Sequence, residues 1–376
     1  MLITVFICIP TLASAGAERF VTELAININK ENFKPIILIT NKLELSSPFY
    51  QKLINNRIEV IDVSDKKYIT EVKKTVAILK QYNPRIIHSN VGAALHILIP
   101  LFLSRIKTKH IFTVHSMGYR IFNGIKKKII GICFKSKAII PVAICDKVKQ
   151  SLIQEYRLKP NEVELVYNGV DTKIFTPEHK ENKEITFVSV GTLYKIKNHA
   201  LLIDAFRILH KNNPESKLII VGDGELREEL INRTKKYGLE KSVLFVGNQS
   251  DVAKYLHLSD IYCCTSEVEG LPISVLEAMA CGLPVITTPA GGVVDIIKDG
   301  ENGYIINNHP NDIAEKMEIL LLNSEIRMWM GEKSRRMAER LDIKKCSEQY
   351  EIIYTKYSNQ LNGTKRRKGK INAEYH

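Results

Sequence analysis

The sequence predicts an α/β protein built of two doubly wound, Rossmann-like domains. Apolar, β-branched runs of strand length alternate with amphipathic helical segments from one end to the other, as a parallel sheet covered on both faces requires. The alternation runs through twice, with a polar stretch between the two passes. The 376 residues are enough for two cores of ordinary size.

In the first pass strands are expected at Leu2–Ile9, Pro35–Thr40, Ile58–Asp62, Arg85–Ser89, His110–His115 and Ala138–Val142. After the first of these, Phe20, Val21, Leu24, Ala25 and Ile28 fall on one helical face. In the second pass strands are expected at Ile185–Val190, Lys217–Val221, Val243–Val246, Ile261–Thr265, Pro284–Thr287 and Tyr304–Ile306. The segment 176–183, TPEHKENK, is polar, carries a proline and lacks periodicity, so it is expected to be the linker. The expected domains are therefore 1–178 and 179–360, followed by a basic, disordered tail at 361–376 containing KRRKGK. Such a pair places a ligand in the cleft between its domains, at the C-terminal ends of the strands.

Composition narrows the class. No apolar run reaches the ~18 residues of a membrane-spanning helix, and Val91–Leu103 is interrupted by His96 and Pro100. The net charge of +13 is unevenly placed. Residues 1–180 hold 27 Lys/Arg against 14 Asp/Glu, whereas 181–376 hold 27 of each. Residues 101–150 alone carry eleven basic groups and one acid, Asp146. A one-sided basic surface points to phosphate-rich partners: nucleic acid, anionic lipid or a lipid diphosphate. The stretch 119–137, with six lysines or arginines among aliphatic and aromatic residues, suits an anionic membrane surface and equally an amphipathic helix on the sheet. The seven cysteines have no metal-like spacing and read as free thiols in a reducing compartment.

The opening MLITVFICIPTLASAGAERF contains Ala13-Ser14-Ala15, which has the form of a signal-peptidase site. A secretory signal carries basic residues ahead of its apolar run, and here the first charge is Glu18. The stretch is expected to be strand, turn and helix start, without a signal peptide, and the protein cytoplasmic.

The run EGLPISVLEAMACGLPVITTPAGGVVDII (269–297) is richest in chemistry. Glu269 follows a strand, Gly270 lets a ligand approach the backbone, and Pro272 suits the first position of a helix. That helix start offers free N–H groups and partial positive charge to an anion. Glu277 lies about a turn and a half along it. Two glutamates eight positions apart could accept hydrogen bonds from sugar or ribose hydroxyls; equally, Glu269 could be a cap and Glu277 an exposed helix acid.

This run resembles the signature of the retaining family-four (group 1) glycosyltransferases, which have the two-domain GT-B architecture. The likeness continues in VSVGTLYKIKNHALLIDAF (188–206), YNGVDTKIF (167–175), PTLASAGAERF (10–20) and TVHS (113–116). It implies that Glu269 contacts donor-sugar hydroxyls beside the backbone N–H groups of Gly270 and Leu271. It further implies that Glu277 binds the ribose, Lys197 neutralises the departing diphosphate beside Gly191, Gly16 admits the diphosphate or acceptor, and His115 contacts the reacting sugar. Catalytic roles thus fall to His115, Lys197 and Glu269. Three departures stand out: Thr192 where the family has Arg, Ala15-Gly16 for two glycines, and Asp295 for Glu. Lys195 is expected to substitute for the absent arginine.

The resemblance implies a retaining hexosyltransferase moving sugar from a UDP- or GDP-sugar to a lipid-linked or polysaccharide acceptor. The setting it implies is the inner face of the cell membrane, in capsule, O-antigen or related synthesis, with an anionic membrane surface and no nucleic acid as partner. No cofactor and no metal are expected, since departing diphosphate charge can be met by a lysine and a helix terminus and the sequence lacks an Asp-x-Asp triplet. A nucleotide-sugar 2-epimerase on the same architecture is the alternative. A periplasmic binding protein would account for the opening stretch but not for Glu269, Glu277 and Lys197 together. Nucleic-acid binding would use the basic charge, yet no recognisable module for it is present.

Overall fold

The computed structural model describes residues 2–13, 16–178 and 184–371, with side chains as far as Leu361. Ser14 and Ala15 of the opening loop and 179–183 of the expected linker lie outside the described residues, as do 372–376. The strands are β1 (Ile3–Thr11), β2 (Phe33–Lys42), β3 (Glu59–Asp62), β4 (Ile86–Asn90), β5 (Lys109–Val114), β6 (Ile139–Ala143) and β7 (Glu164–Leu165), then β8 (Thr186–Val190), β9 (Lys217–Val221), β10 (Val243–Gly247), β11 (Ile261–Cys264), β12 (Val285–Thr287) and β13 (Gly303–Ile305). Every expected strand is present, within a few residues at its ends. β7 was not expected: two residues at a sheet edge carry no periodicity to detect.

The chain divides into two compact units, one of residues 1–167 and 343–376 and the other of 168–342. The first holds a seven-stranded sheet in the order β3-β2-β1-β4-β5-β6-β7, the second a six-stranded sheet in the order β10-β9-β8-β11-β12-β13. The pairs are parallel. In each sheet the winding reverses once, between β1 and β4 and between β8 and β11. At such a switch point the two connecting loops part and leave a crevice at the C-terminal strand ends.

This division corrects the expected boundaries. The helix Ile343–Ile371 belongs to the first unit, not the second. The reason is a set of buried side chains at helical spacing: Cys346, Tyr350, Ile353, Tyr354 and Ser358. Tyr354 Oη lies 2.6 Å from His88 Nδ1 on β4, while Thr113 Oγ1 on β5 lies 2.6 Å from His88 Nε2 and 2.7 Å from Tyr350 Oη. Arg85 Nε donates to Ser358 Oγ at 2.7 Å. A buried polar chain of this kind has partners only against the first sheet. The basic run from Lys365 continues the same helix to Ile371, where a disordered tail was expected; lysine and arginine are good helix formers.

The second core gathers Phe187, Leu202, Phe206, Leu218, Ile220, Ile261, Ile313 and Met317. These side chains come from the sheet, the helix His199–Asn212 that follows β8, and the helix Pro310–Leu322. In the first unit, Phe6, Cys8, Ile36, Leu38 and Ile87 face one side of the sheet and pack beneath Val63, Leu79 and Ile97.

Candidate active site

In the second unit the loops after β8 and β11, neighbours at the switch point, carry most of the expected site. Beyond β8 the chain passes Gly191 and makes a tight turn at Lys195–Lys197 before the helix His199–Asn212. Beyond β11 it passes Thr265 and Glu269 to the helix Ile273–Ala280. The two loops are tied together: Glu267 N–H donates to the Ile196 carbonyl at 2.8 Å, and Thr265 Oγ1 donates to the Asn198 carbonyl at 3.0 Å. These ties bring Lys197 Nζ to 2.5 Å from Glu269 Oε1. Both side chains are largely withdrawn from solvent. Burial works against the lysine's charge, but the Glu269 carboxylate more than compensates, and the ammonium pKa lies above its ordinary value.

Two glycine loops make this approach possible. Gly291 has φ +59°, and a Cβ there would stand 1.9 Å from the Glu269 carbonyl oxygen. Gly292 N–H meanwhile donates to the Gly270 carbonyl at 2.6 Å. On the other side Gly222 has φ +136°, and a Cβ would stand 1.9 Å from the Gly191 carbonyl oxygen. A side chain at either position would force the strand-end loops apart.

The helix Ile273–Ala280 starts one residue later than expected, with Pro272 in the cap position. Its N-terminus, four residues on from Glu269, carries partial positive charge, while the Val275 and Leu276 N–H groups donate to the Pro272 carbonyl. Leu271, just ahead of it, is buried, and its carbonyl accepts a hydrogen bond from Asn168 Nδ2 at 3.0 Å. Glu277 is only 2 % exposed, so it is not the surface helix acid that the sequence also allowed. A carboxylate kept inside a protein must be compensated by hydrogen bonds or opposite charge. Lys195 is exposed, whereas Lys197 is drawn in against Glu269. The turn therefore separates two lysines that the sequence placed side by side.

In the first unit the helix Gly16–Asn27 follows β1 and His115 follows β5. A Cβ on Gly16 would meet nothing within 4 Å, so packing does not require glycine there. His115 Nε2 lies 2.8 Å from Asn90 Oδ1 at the end of β4. Asn90 Nδ2 is turned toward the Cys8 and His88 carbonyls, at 3.4 and 3.5 Å. With the amide so oriented, Oδ1 accepts from His115 Nε2–H and leaves Nδ1 with its lone pair. Burial pushes the His115 pKa down to about 4, so the ring is neutral at pH 7. The edge of the Phe20 ring packs against it, with centroids 5.1 Å apart.

The structure thus joins Gly191, Lys197, Glu269, Gly270, Leu271 and Glu277 in two adjoining loops and one helix of the second unit. Gly16 and His115 stand at strand ends of the first. Sequence reasoning gave no role to Asn90, Asn168, Gly222 or Gly291. Gly222 was readable as G-x-G after β9, Gly291 in the Gly-Gly pair and Asn168 in YNGVDTKIF; Asn90 carries no local signal.

Comparison with known proteins completes the description. The family described as "Glycosyl transferases group 1" matches residues 170–337, and "Glycosyltransferase Family 4" matches 14–174. The chain belongs to the family-four, group 1 glycosyltransferases. An uncharacterized glycosyltransferase of Haemophilus influenzae is 29% identical over 91% of this chain and 96% of its own length. The UDP-Gal:alpha-D-GlcNAc-diphosphoundecaprenol alpha-1,3-galactosyltransferase of Escherichia coli is 29% identical over 55% of this chain and 59% of its own. Anabaena HepE, solved in complex with UDP and glucose, superposes with a TM-score of 0.83 at 17% identity, over 94% of this chain and all of that one. The fold of this glycosyltransferase is therefore GT-B, as the sequence implied.

Proposed function

We propose that this glycosyltransferase moves a hexosyl unit from a nucleotide-diphosphate sugar to a membrane-associated acceptor, with retention of anomeric configuration. Its setting in this reading is the cytoplasmic face of the membrane, in bacterial surface-polysaccharide synthesis. The observation that carries the reading is the Lys197–Glu269 pair at the switch point of the second unit, beside the start of the helix Ile273–Ala280.

The chemistry asks for this arrangement. As the glycosyl–oxygen bond breaks, its electron pair leaves with the nucleoside diphosphate, and negative charge grows on the phosphate oxygens. Lys197 and the helix N-terminus supply fixed positive charge at one place in the sheet. Glu269 accepts hydrogen bonds from donor-sugar hydroxyls, and Glu277 from the ribose. The acceptor hydroxyl oxygen bonds to the anomeric carbon on the face the diphosphate leaves, and its proton departs with the phosphate. In the first unit, neutral His115 hydrogen-bonds the reacting sugar without adding charge, and Gly16 lets substrate approach the helix start.

Two comparisons support the substrate classes: the HepE structure holds UDP and glucose, and the E. coli relative is named for a diphosphoundecaprenol acceptor. Thermal unfolding with UDP-, GDP- and ADP-sugars tests the donor, one base being expected to raise Tm well above the others. Transfer of radiolabelled sugar only when membrane extract is added tests the acceptor. A flat Tm response to every nucleotide sugar would refute the reading.

A further inference from the structure

The sheet registers place two crossover helices of the first unit side by side. Phe6 pairs with Ile87, and Ile87 with His110. Phe112, two residues on from His110, therefore faces the same side of the sheet as Phe6. The helix Leu98–Ser104 connects β4 to β5, and its Leu101 packs on the cluster around Phe6. The helix Gly124–Lys135 connects β5 to β6, and its Phe134 stacks on Phe112. Both cover one face of the sheet as consecutive crossovers.

Their outward sides are unusual for a solvated surface. On the second helix Ile130 and Phe134 point inward, while Ile125, Ile129 and Ile132 recur on the opposite side, with Ile125 68% and Ile132 66% exposed. On the first helix Phe102 is 82% exposed. Lys126, Lys128 and Lys135 are exposed among these apolar groups, within the fifty residues that hold eleven basic groups and one acid. Isolated exposed apolar residues are ordinary, but an apolar group ringed by one sign of charge marks a docking surface. Lysines beside protruding isoleucine and phenylalanine suit a partner that is anionic at its surface and apolar just beneath. A bilayer containing acidic phospholipid has that layering.

We propose that the outer side of the helices Leu98–Ser104 and Gly124–Lys135 seats the enzyme on an anionic lipid bilayer, with Phe102 and Ile125 entering the acyl boundary and Lys126 and Lys128 meeting the headgroups. The purpose of this contact rests on the reading of a membrane-associated acceptor; the contact itself is measured without any sugar. The full chain is sedimented with vesicles of phosphatidylcholine alone and of equal parts phosphatidylcholine and phosphatidylglycerol, at low and high salt. Binding to the mixed vesicles, weakened by salt, is expected. Phe102→Ser with Ile125→Ser, and separately Lys126→Glu with Lys128→Glu, should each weaken it by at least roughly tenfold. All four positions are exposed, and circular dichroism verifies that the variants fold.

Equal binding to neutral and mixed vesicles would overturn the proposal, as would unchanged binding in both variants. Loss of binding only when the basic run 365–370 is neutralised would also overturn it. So would light scattering that shows the apolar pair holding two copies together while vesicle binding is unaffected. A flat response to nucleotide sugars with intact vesicle binding would remove the transferase reading and leave this one standing.

Discussion

Lys197 Nζ and Glu269 Oε1 lie 2.5 Å apart, although 72 residues of chain separate them. Each follows a different strand of the second sheet, and they meet because β8 and β11 are neighbours at its switch point. Lys195, two residues away, is exposed. Lys197→Ala should therefore lower kcat by about a hundredfold or more, the usual cost of losing one group that stabilises developing charge. Lys195→Ala should cost less than about fivefold, in line with a screened surface charge. Initial-rate kinetics compare the two, and equal losses would remove the special role of Lys197.

The same pair has a structural share. Glu269→Gln leaves the Lys197 ammonium partly buried without its carboxylate and should destabilise the protein by about 1–3 kcal/mol. Adding Lys197→Met removes the stranded charge and should recover much of that loss. Urea unfolding of both single variants and the double variant measures the coupling; additive effects would show that the pair does not interact.

Glycine substitutions separate packing from function. Gly291→Ala places a methyl group 1.9 Å from the Glu269 carbonyl at φ +59°, and should cost more than about 2 kcal/mol together with most activity. Gly16→Ala meets nothing within 4 Å, so its Tm should stay within about 2 °C. A fall in activity in that stable variant would locate substrate at the helix start. Full activity would remove Gly16 from the site.

Asn90 holds the His115 ring by its side-chain carbonyl. Asn90→Ala frees the ring and its tautomer, and should lower kcat by about tenfold while donor binding to the second unit is kept. Asn90→Asp retains an acceptor and should recover part of the rate near pH 8. A thermal shift by donor that disappears in Asn90→Ala would contradict the assignment.

Acid should unfold the first unit. Burial pushes His88 and His110 down to about 3 in the folded chain, against an ordinary value of 6.5. Between those values the unfolded state binds protons that the folded state refuses. Stability is therefore complete above about pH 6.5 and falls as the pH drops toward 3. With His115, held down to about 4, three such rings give a slope of about 4 kcal/mol per pH unit between the pH at which the unfolded histidines are charged and about pH 4. Urea midpoints at pH 7.5 and pH 5 measure it, and an unchanged midpoint would show that these histidines protonate without unfolding.

The strands were legible because each is a continuous apolar run, and burial on both faces removes the alternation that would confuse it with a surface strand. Lys197, Glu269 and Glu277 were legible as motif letters. Their geometry was not, because Glu277 reads alike as a buried or an exposed acid, and only the packing of the helix Ile273–Ala280 buries it. The linker reading at 176–183 misplaced the division for a similar reason. A helix such as Ile343–Ile371 has an apolar stripe that suits either sheet, and the partners of Tyr350 and Tyr354 lie more than two hundred residues away.

By itself the sequence determined the α/β class, the order of the strands along the chain, the loops that hold the candidate site residues and the one-sided charge. These are local properties of period, composition and spacing. The tertiary structure decided which loops become neighbours: Lys197 with Glu269, His115 with Asn90, the terminal helix with β4 and β5. It also decided which isoleucines of the helix Gly124–Lys135 stay outside. Neighbourhood across a parallel sheet follows from crossover order and side-chain packing between distant segments, and no stretch of chain encodes that alone.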